Sequence, residues 1–136
     1  AQDEMRVVGA AGGAPWRRGV TYSLHGAPCA ACLAAPHGML VIESGLGAQY
    51  PALAAQHDTP LESFHGIAIE GPGGAWTGVL SLLDEQAHAD SPADRALLRT
   101  AANRIRQELA RADDETHLRE RERELALARQ LTSDAI

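Results

Sequence analysis

Cys29 and Cys32 are the only cysteines of the chain and stand as a C-x-x-C at the head of an Ala-rich segment. Two thiols at that spacing can form a redox pair or supply half of a zinc site, and a helix start would favour the first thiolate. A zinc site needs two further ligands, and the six histidines (His25, His37, His57, His65, His88, His117) show no paired spacing that would provide them. The redox pair belongs in a βαβ context, which the surrounding pattern lacks. Packed thiols are therefore the expectation, with redox sensing next and metal binding last. His65 is the other residue of chemical interest, a polar group inside the apolar run Phe64–Ile69. It is either a strand-edge histidine bonded to backbone or solvent, or a hydrogen-bonding contact in a ligand cavity with a pKa near neutrality.

The elements that must position these residues follow from period and punctuation. Phe64–Ile69 and Trp76–Leu83 are apolar runs flanking Gly71-Pro72-Gly73-Gly74, a composition that reverses the chain between two strands. Apolar residues occupy both parities of the runs, which predicts strands covered on both faces. Upstream, Met5–Ala10, Val20–Leu24 and Met39–Ile42 read as short strands. A short helix is expected from Cys29 to about Ala35, stopped by Pro36 and Gly38. Gly45–Pro51 reads as a loop, Ala52–His57 as one or two helical turns, and Asp58-Thr59-Pro60 as a break. Ser91-Pro92-Ala93-Asp94 then carries a capping side chain, a proline at the first helical position and an acid three residues after the cap. Leu98, Ala102, Ile105, Leu109 and Ala112 form one stripe of the helix that follows. No Pro or Gly interrupts it as far as Ile136, so a helix reaching Leu131 would span roughly 60 Å. That length exceeds the about 13 Å radius of gyration of so small a domain, so its far end is expected to project.

Composition narrows the class. The 136 residues suffice for one domain, and a net charge of −6 with no Lys and evenly spread Arg argues against nucleic acid as a partner. No apolar run reaches membrane-spanning length, and the first residues show no signal-peptide pattern, so no membrane partner is expected and the expected compartment is cytoplasmic. The abundance of Ala, Arg and Gly suggests a GC-rich bacterial coding sequence. The block Arg119-Glu120-Arg121-Glu122-Arg123-Glu124 is usually a solvated helix surface. Leu118 and Leu125, seven apart, supply a thin coiled-coil seam out of phase with the Leu98–Ala112 stripe.

Five segments, in order, resemble a known family. Tyr22-Ser23-Leu24-His25-Gly26-Ala27-Pro28-Cys29 is similar to the YxLxGTPC segment of bacterial GAF domains, and Gln49-Tyr50-Pro51 to the aromatic–Pro step of their middle loop. Glu62-Ser63-Phe64-His65-Gly66-Ile67-Ala68-Ile69 resembles their ESYxGxPL strand. Gly78-Val79-Leu80-Ser81-Leu82-Leu83-Asp84 resembles GxLxVLD, and Gln107-Glu108-Leu109 falls where the family carries AxELER. The matches keep order and spacing from Met5 to Leu109. The family's first helix and first strand have no counterpart ahead of Met5, so the domain is expected to be N-terminally incomplete.

The resemblance implies an α+β fold of GAF/PAS type: an antiparallel sheet with short helices over one face and a long C-terminal helix on the other. It implies a sensory domain over residues 1–112 and a projecting signalling helix over 113–136. Family cavities lie between sheet and short helices, which maps the ligand contacts onto Cys29, Leu33, Tyr50, Leu53, His65 and Ile67, with Ser81 as a polar contact. That set holds no basic residue, so a small apolar or aromatic ligand fits better than a phosphorylated nucleotide. No haem, bilin, cyclic-nucleotide or metal motif is present, and the cofactor stays unknown. The implied assembly is a homodimer through Leu98, Ala102, Ile105 and Leu109, continued by Leu118, Leu125 and Leu131. Its signal would pass to an output module such as a kinase, a cyclic-dinucleotide enzyme or a transcription activator. A degenerate domain that only holds a dimer together is the alternative. One GAF-fold group is a cysteine-dependent methionine sulfoxide reductase, but no base-and-nucleophile arrangement surrounds Cys29 or Cys32, so catalysis is not expected.

Overall fold

A computed structural model describes residues 4–12, 16–55 and 60–134. The fold is mixed α+β, with two small antiparallel sheets and one long C-terminal helix. Strands β1 (Glu4–Arg6) and β2 (Thr21–Ser23) pair with each other, and β3 (Met39–Ile42), β4 (Ser63–Glu70) and β5 (Trp76–Asp84) form the second sheet in the order β3-β4-β5. Between them lie the short helices α1 (Pro28–Ala34), α2 (Leu46–Gln49) and α3 (Pro51–Ala54). Part of the expected loop Gly45–Pro51 is thus helical, because Gly45 adopts a left-handed conformation that starts α2 and Pro51 starts α3. The expected helical turns end at Ala54, while His57, Asp58 and Thr59 fall outside the described residues.

The three-stranded sheet separates two cores. On one face Phe64 packs with Cys29, Leu46, Leu53 and Leu61 beneath the short helices. On the other, Ile67 and Ile69 meet Leu98 and Ala102 of α4 (Pro92–Asp134), with Ile105 half-buried beside them. β4 is buried over Ser63–Ile69, as central strands are. β5 departs from the expectation of two covered faces. It pairs with β4 alone, and Leu82 is 58% exposed because no described segment lies over that part of the edge.

Ser91 caps α4 by accepting a hydrogen bond from the Asp94 amide at 3.1 Å, as the sequence signature predicts. The helix runs 43 residues, about 64 Å, and from Arg106 onward every described residue is exposed. Leu98 and Ala102, expected at a dimer interface, are buried inside the chain, since the first turns of α4 must cover Ile67 and Ile69. Leu109, Leu118, Leu125 and Leu131 stand in solvent.

Candidate functional site

The residues expected to line one cavity are divided by the sheet. Cys29, Tyr50 and Leu53 sit on the short-helix face, where Tyr50 packs against the cluster built on Cys29 and Phe64. Ser81 is on that face too, its hydroxyl 3.7 Å from Cys29 Sγ. Leu33 is half-buried on α1 and belongs to neither core cluster. His65 and Ile67 point the other way, toward α4. Side chains alternate across a strand, so residues 63, 65, 67 and 69 share the α4 face while Phe64, Gly66 and Ala68 share the opposite one.

The short-helix face is occupied by its own side chains. Phe64, Leu46 and Cys32 are essentially inaccessible to solvent. Tyr22 Oη lies 3.3 Å from Cys29 Sγ and its ring meets Trp16 edge-on, with centroids 5.4 Å apart. Burial, reinforced by Cys29, holds the Tyr22 phenol far above its ordinary pKa. Cys32 donates to the Gly38 carbonyl at 3.2 Å, and its thiol is pushed up to about 11, chiefly by burial and then by Cys29. Both cysteines are free thiols. Among the described residues no group of three or more His, Cys, Asp or Glu is placed to hold a metal ion.

The α4 face carries an open groove of about 580 Å³. Its floor is β4 and β5, through Ser63, His65, Leu80, Leu82, Leu83 and Asp84, and its wall is the start of α4, through Asp94, Leu97, Leu98 and Ala101, with His88 between them. That volume is within the usual range for small-molecule sites. The segment carrying His88 is tied down at three points. The amides of His88 and Asp90 donate to the carbonyl and the carboxylate of Glu43, both at 2.9 Å, and Ser63 Oγ donates to the Gln86 carbonyl at 2.8 Å. His88 is thereby held against His65, with ring centroids 5.1 Å apart in an edge-to-face arrangement. Its Nε2 lies 3.2 Å from Asp94 Oδ2. Hydrogen bonding from Ser91 and then from His88 keeps the Asp94 carboxyl below its ordinary pKa.

His65 is 7% exposed, and its Nε2 has no hydrogen-bond partner among the described residues. An unpaired buried nitrogen is costly, by about 1–3 kcal/mol, and the ring that carries it lines the groove. A smaller groove of about 150 Å³ lies further along the same face, between the hairpin and α4, with Trp76, Glu70, Arg99 and Arg106 in its lining.

Comparison with known proteins finds no matching family model, no matching curated protein and no matching solved structure. The likeness to GAF domains rests on the five sequence segments. Sequence reasoning picked out His65 but not its surroundings: His88, Asp94, Leu80, Leu82 and Leu97 were not expected at a binding site. The signal that could have found them is parity, since His65 shares a face with Ile67 and Ile69, and that face needs an apolar helix stripe such as Leu98–Ala102 to cover it.

Proposed function

We propose that this chain is a GAF-like sensory domain of a bacterial signalling protein, cytoplasmic and non-enzymatic, which binds a small molecule and passes its occupancy to an output module through α4. The observation that carries the reading is the double use of one helix. Asp94, Leu97 and Leu98 form a wall of the groove that contains the unpartnered His65, and the same helix continues from Gln107 to Asp134 with every residue exposed. A ligand in the groove contacts sheet and helix together, so it favours whichever arrangement of the two binds it better. The site differs from the short-helix cavity that the resemblance implies, because that face is filled by Phe64, Leu46 and Cys32. Regulation fits better than catalysis, since Cys32 is buried and held protonated and the two cysteines lie in a packed core.

The scaffold alternative draws support from a separate observation. Leu109, Leu118, Leu125 and Leu131 are each about half exposed or more along the projecting helix, the surface a second copy would cover. A screen of chemically diverse fragments against the 136-residue chain, read by ligand-detected NMR, separates the readings. Sensing predicts fragments that bind the parent and lose binding in His65→Leu, and that alter hydrogen exchange in the first turns of α4. A screen with no His65-dependent binder would leave only the scaffold.

A further inference from the structure

We propose that the groove between the sheet and α4 takes a hydrophobic amine, an alkyl- or arylammonium ion whose head lies between Asp94 and His65 and whose body covers Leu82 and Leu97. This rests on the sensory reading above and names the chemical class of its ligand.

The charge of the lining selects the head group. Two carboxylates, Asp84 and Asp94, line the groove, and no Lys or Arg does. The nearest arginine on α4, Arg95, is committed elsewhere: its Nε donates to Asp90 Oδ1 at 2.8 Å and its terminal nitrogen to Asp90 Oδ2 at 2.6 Å. That bidentate pair leaves the charge on Asp94 answered by the Ser91 hydrogen bond and by the His88 and His65 rings, with no arginine or lysine beside it. Asp94 stays ionised at neutral pH, because its hydrogen bonds favour the charged form. A carboxylate or phosphate ligand would meet two like charges with no Lys or Arg to offset them, only the His65 and His88 rings. An ammonium group would meet the opposite sign.

Hydrogen bonding points the same way. An ammonium head has three donors and no acceptor. Asp94 offers carboxylate oxygens, and the neutral His65 ring offers one acceptor nitrogen. His65 is more than nine-tenths buried, its ring lines the groove and its Nε2 lacks a partner among the described residues, so a donor that reaches the ring satisfies a group the fold leaves unpaired. The body of the ligand is selected by exposed apolar surface. Leu82 is 58% and Leu97 71% exposed on facing sides of the groove, and both lose contact with water when an alkyl chain or aryl ring lies between them.

The test compares three probes with one aryl body and different heads, 2-phenylethylamine, 2-phenylethanol and 3-phenylpropanoate, titrated into the full 136-residue chain and followed by NMR. The amine is expected to bind about tenfold tighter than the alcohol, the return of one charge-assisted hydrogen bond over a neutral one. The carboxylate should bind more weakly than either. Asp94→Asn should remove the preference for amine over alcohol, and His65→Leu should weaken both. Because Asp94 also belongs to the first turn of α4, Leu97→Arg provides a second variant: it puts a competing cation at an exposed position on the groove wall and should abolish amine binding in a folded chain. Carboxylate binding equal to or tighter than amine binding, or an amine preference that survives both Asp94→Asn and Leu97→Arg, overturns the proposal. If all three probes fail while other fragments bind through His65, the ligand class is wrong and the sensory reading stands. If nothing binds through His65, both fall.

Discussion

The ring of Phe64 lies across Gly66, two residues further along β4, so closely that a Cβ at Gly66 would sit 2.5 Å from Phe64 Cε1 and 3.3 Å from Cys32 Sγ. Gly66 has no side chain because the Phe64 ring and α1 occupy that space. The aromatic ring and the adjacent glycine act as one packing unit, which holds α1 against the sheet.

Gly66→Ala should therefore destabilise the chain by about 2 kcal/mol, the usual cost of overpacking a filled core. Urea unfolding followed by circular dichroism measures the change. A shift near zero would mean that Phe64 can move aside freely, contrary to its complete burial.

His65→Leu should act in the opposite direction. Replacing an unpartnered buried nitrogen with an apolar side chain removes a desolvation penalty, and a gain of about 1 kcal/mol is expected. The same substitution should weaken ligand binding, so stability and binding would move apart. A loss of stability instead would show that His65 supports the fold.

Cys32 should resist alkylation. Burial raises its pKa from 9.0 to about 11, which lowers the thiolate fraction at pH 8 about a hundredfold before any steric shielding is added. With Cys29 retained, iodoacetamide labelling of Cys32, resolved from Cys29 by mass spectrometry, should be at least that much slower in the folded chain than in urea. The raised value also fixes a sign: the fold favours the protonated thiol, so this contribution is complete below pH 9 and is lost as pH rises through about 11. Fast labelling of the folded chain at pH 8 would reopen the redox reading.

Leu125→Arg tests assembly. Leu125 is 53% exposed on a stretch of α4 whose described residues are all exposed. If α4 pairs with a second copy, the substitution should weaken the dimer tenfold or more in sedimentation equilibrium, with thermal unfolding of the body unchanged. A parent chain that is monomeric at micromolar concentration would end the proposal.

Much of the element order was legible in the sequence, because β3, the hairpin and the capped start of α4 carry local signals. The grouping of site residues failed at His65 and Ile67, which face α4, and at Leu33, which joins neither core, and the hairpin register adds a subtlety at Ser81. Counting back from the Glu70↔Trp76 pair of the hairpin places Ser81 opposite His65. The structure pairs Ser81 with Gly66 instead, since Thr77 is an extra residue in a bulge between Ile69 and Glu70. A slip of one residue exchanges the faces of a strand, so Ser81 joins Cys29 while His65 joins α4. The Gly-rich turn signals a reversal without specifying that bulge. The other missed features, the position of His88 and the exposure of Leu82, depend on contacts with Glu43 and on the edge of the sheet, both set by tertiary structure.

The length of α4 has a mechanical consequence. Only its first turns, up to Ile105, are clamped to the sheet, and the remainder to Asp134 is a rigid arm about 44 Å long. Tilting such an arm by about 5° around Ile105 swings its tip by about 4 Å, comparable to one step between neighbouring residues along the chain. A displacement of about 1 Å at Leu97, about 12 Å from the pivot, thus reaches the far end magnified nearly fourfold. The geometry works as a lever with a short input side and a long output side.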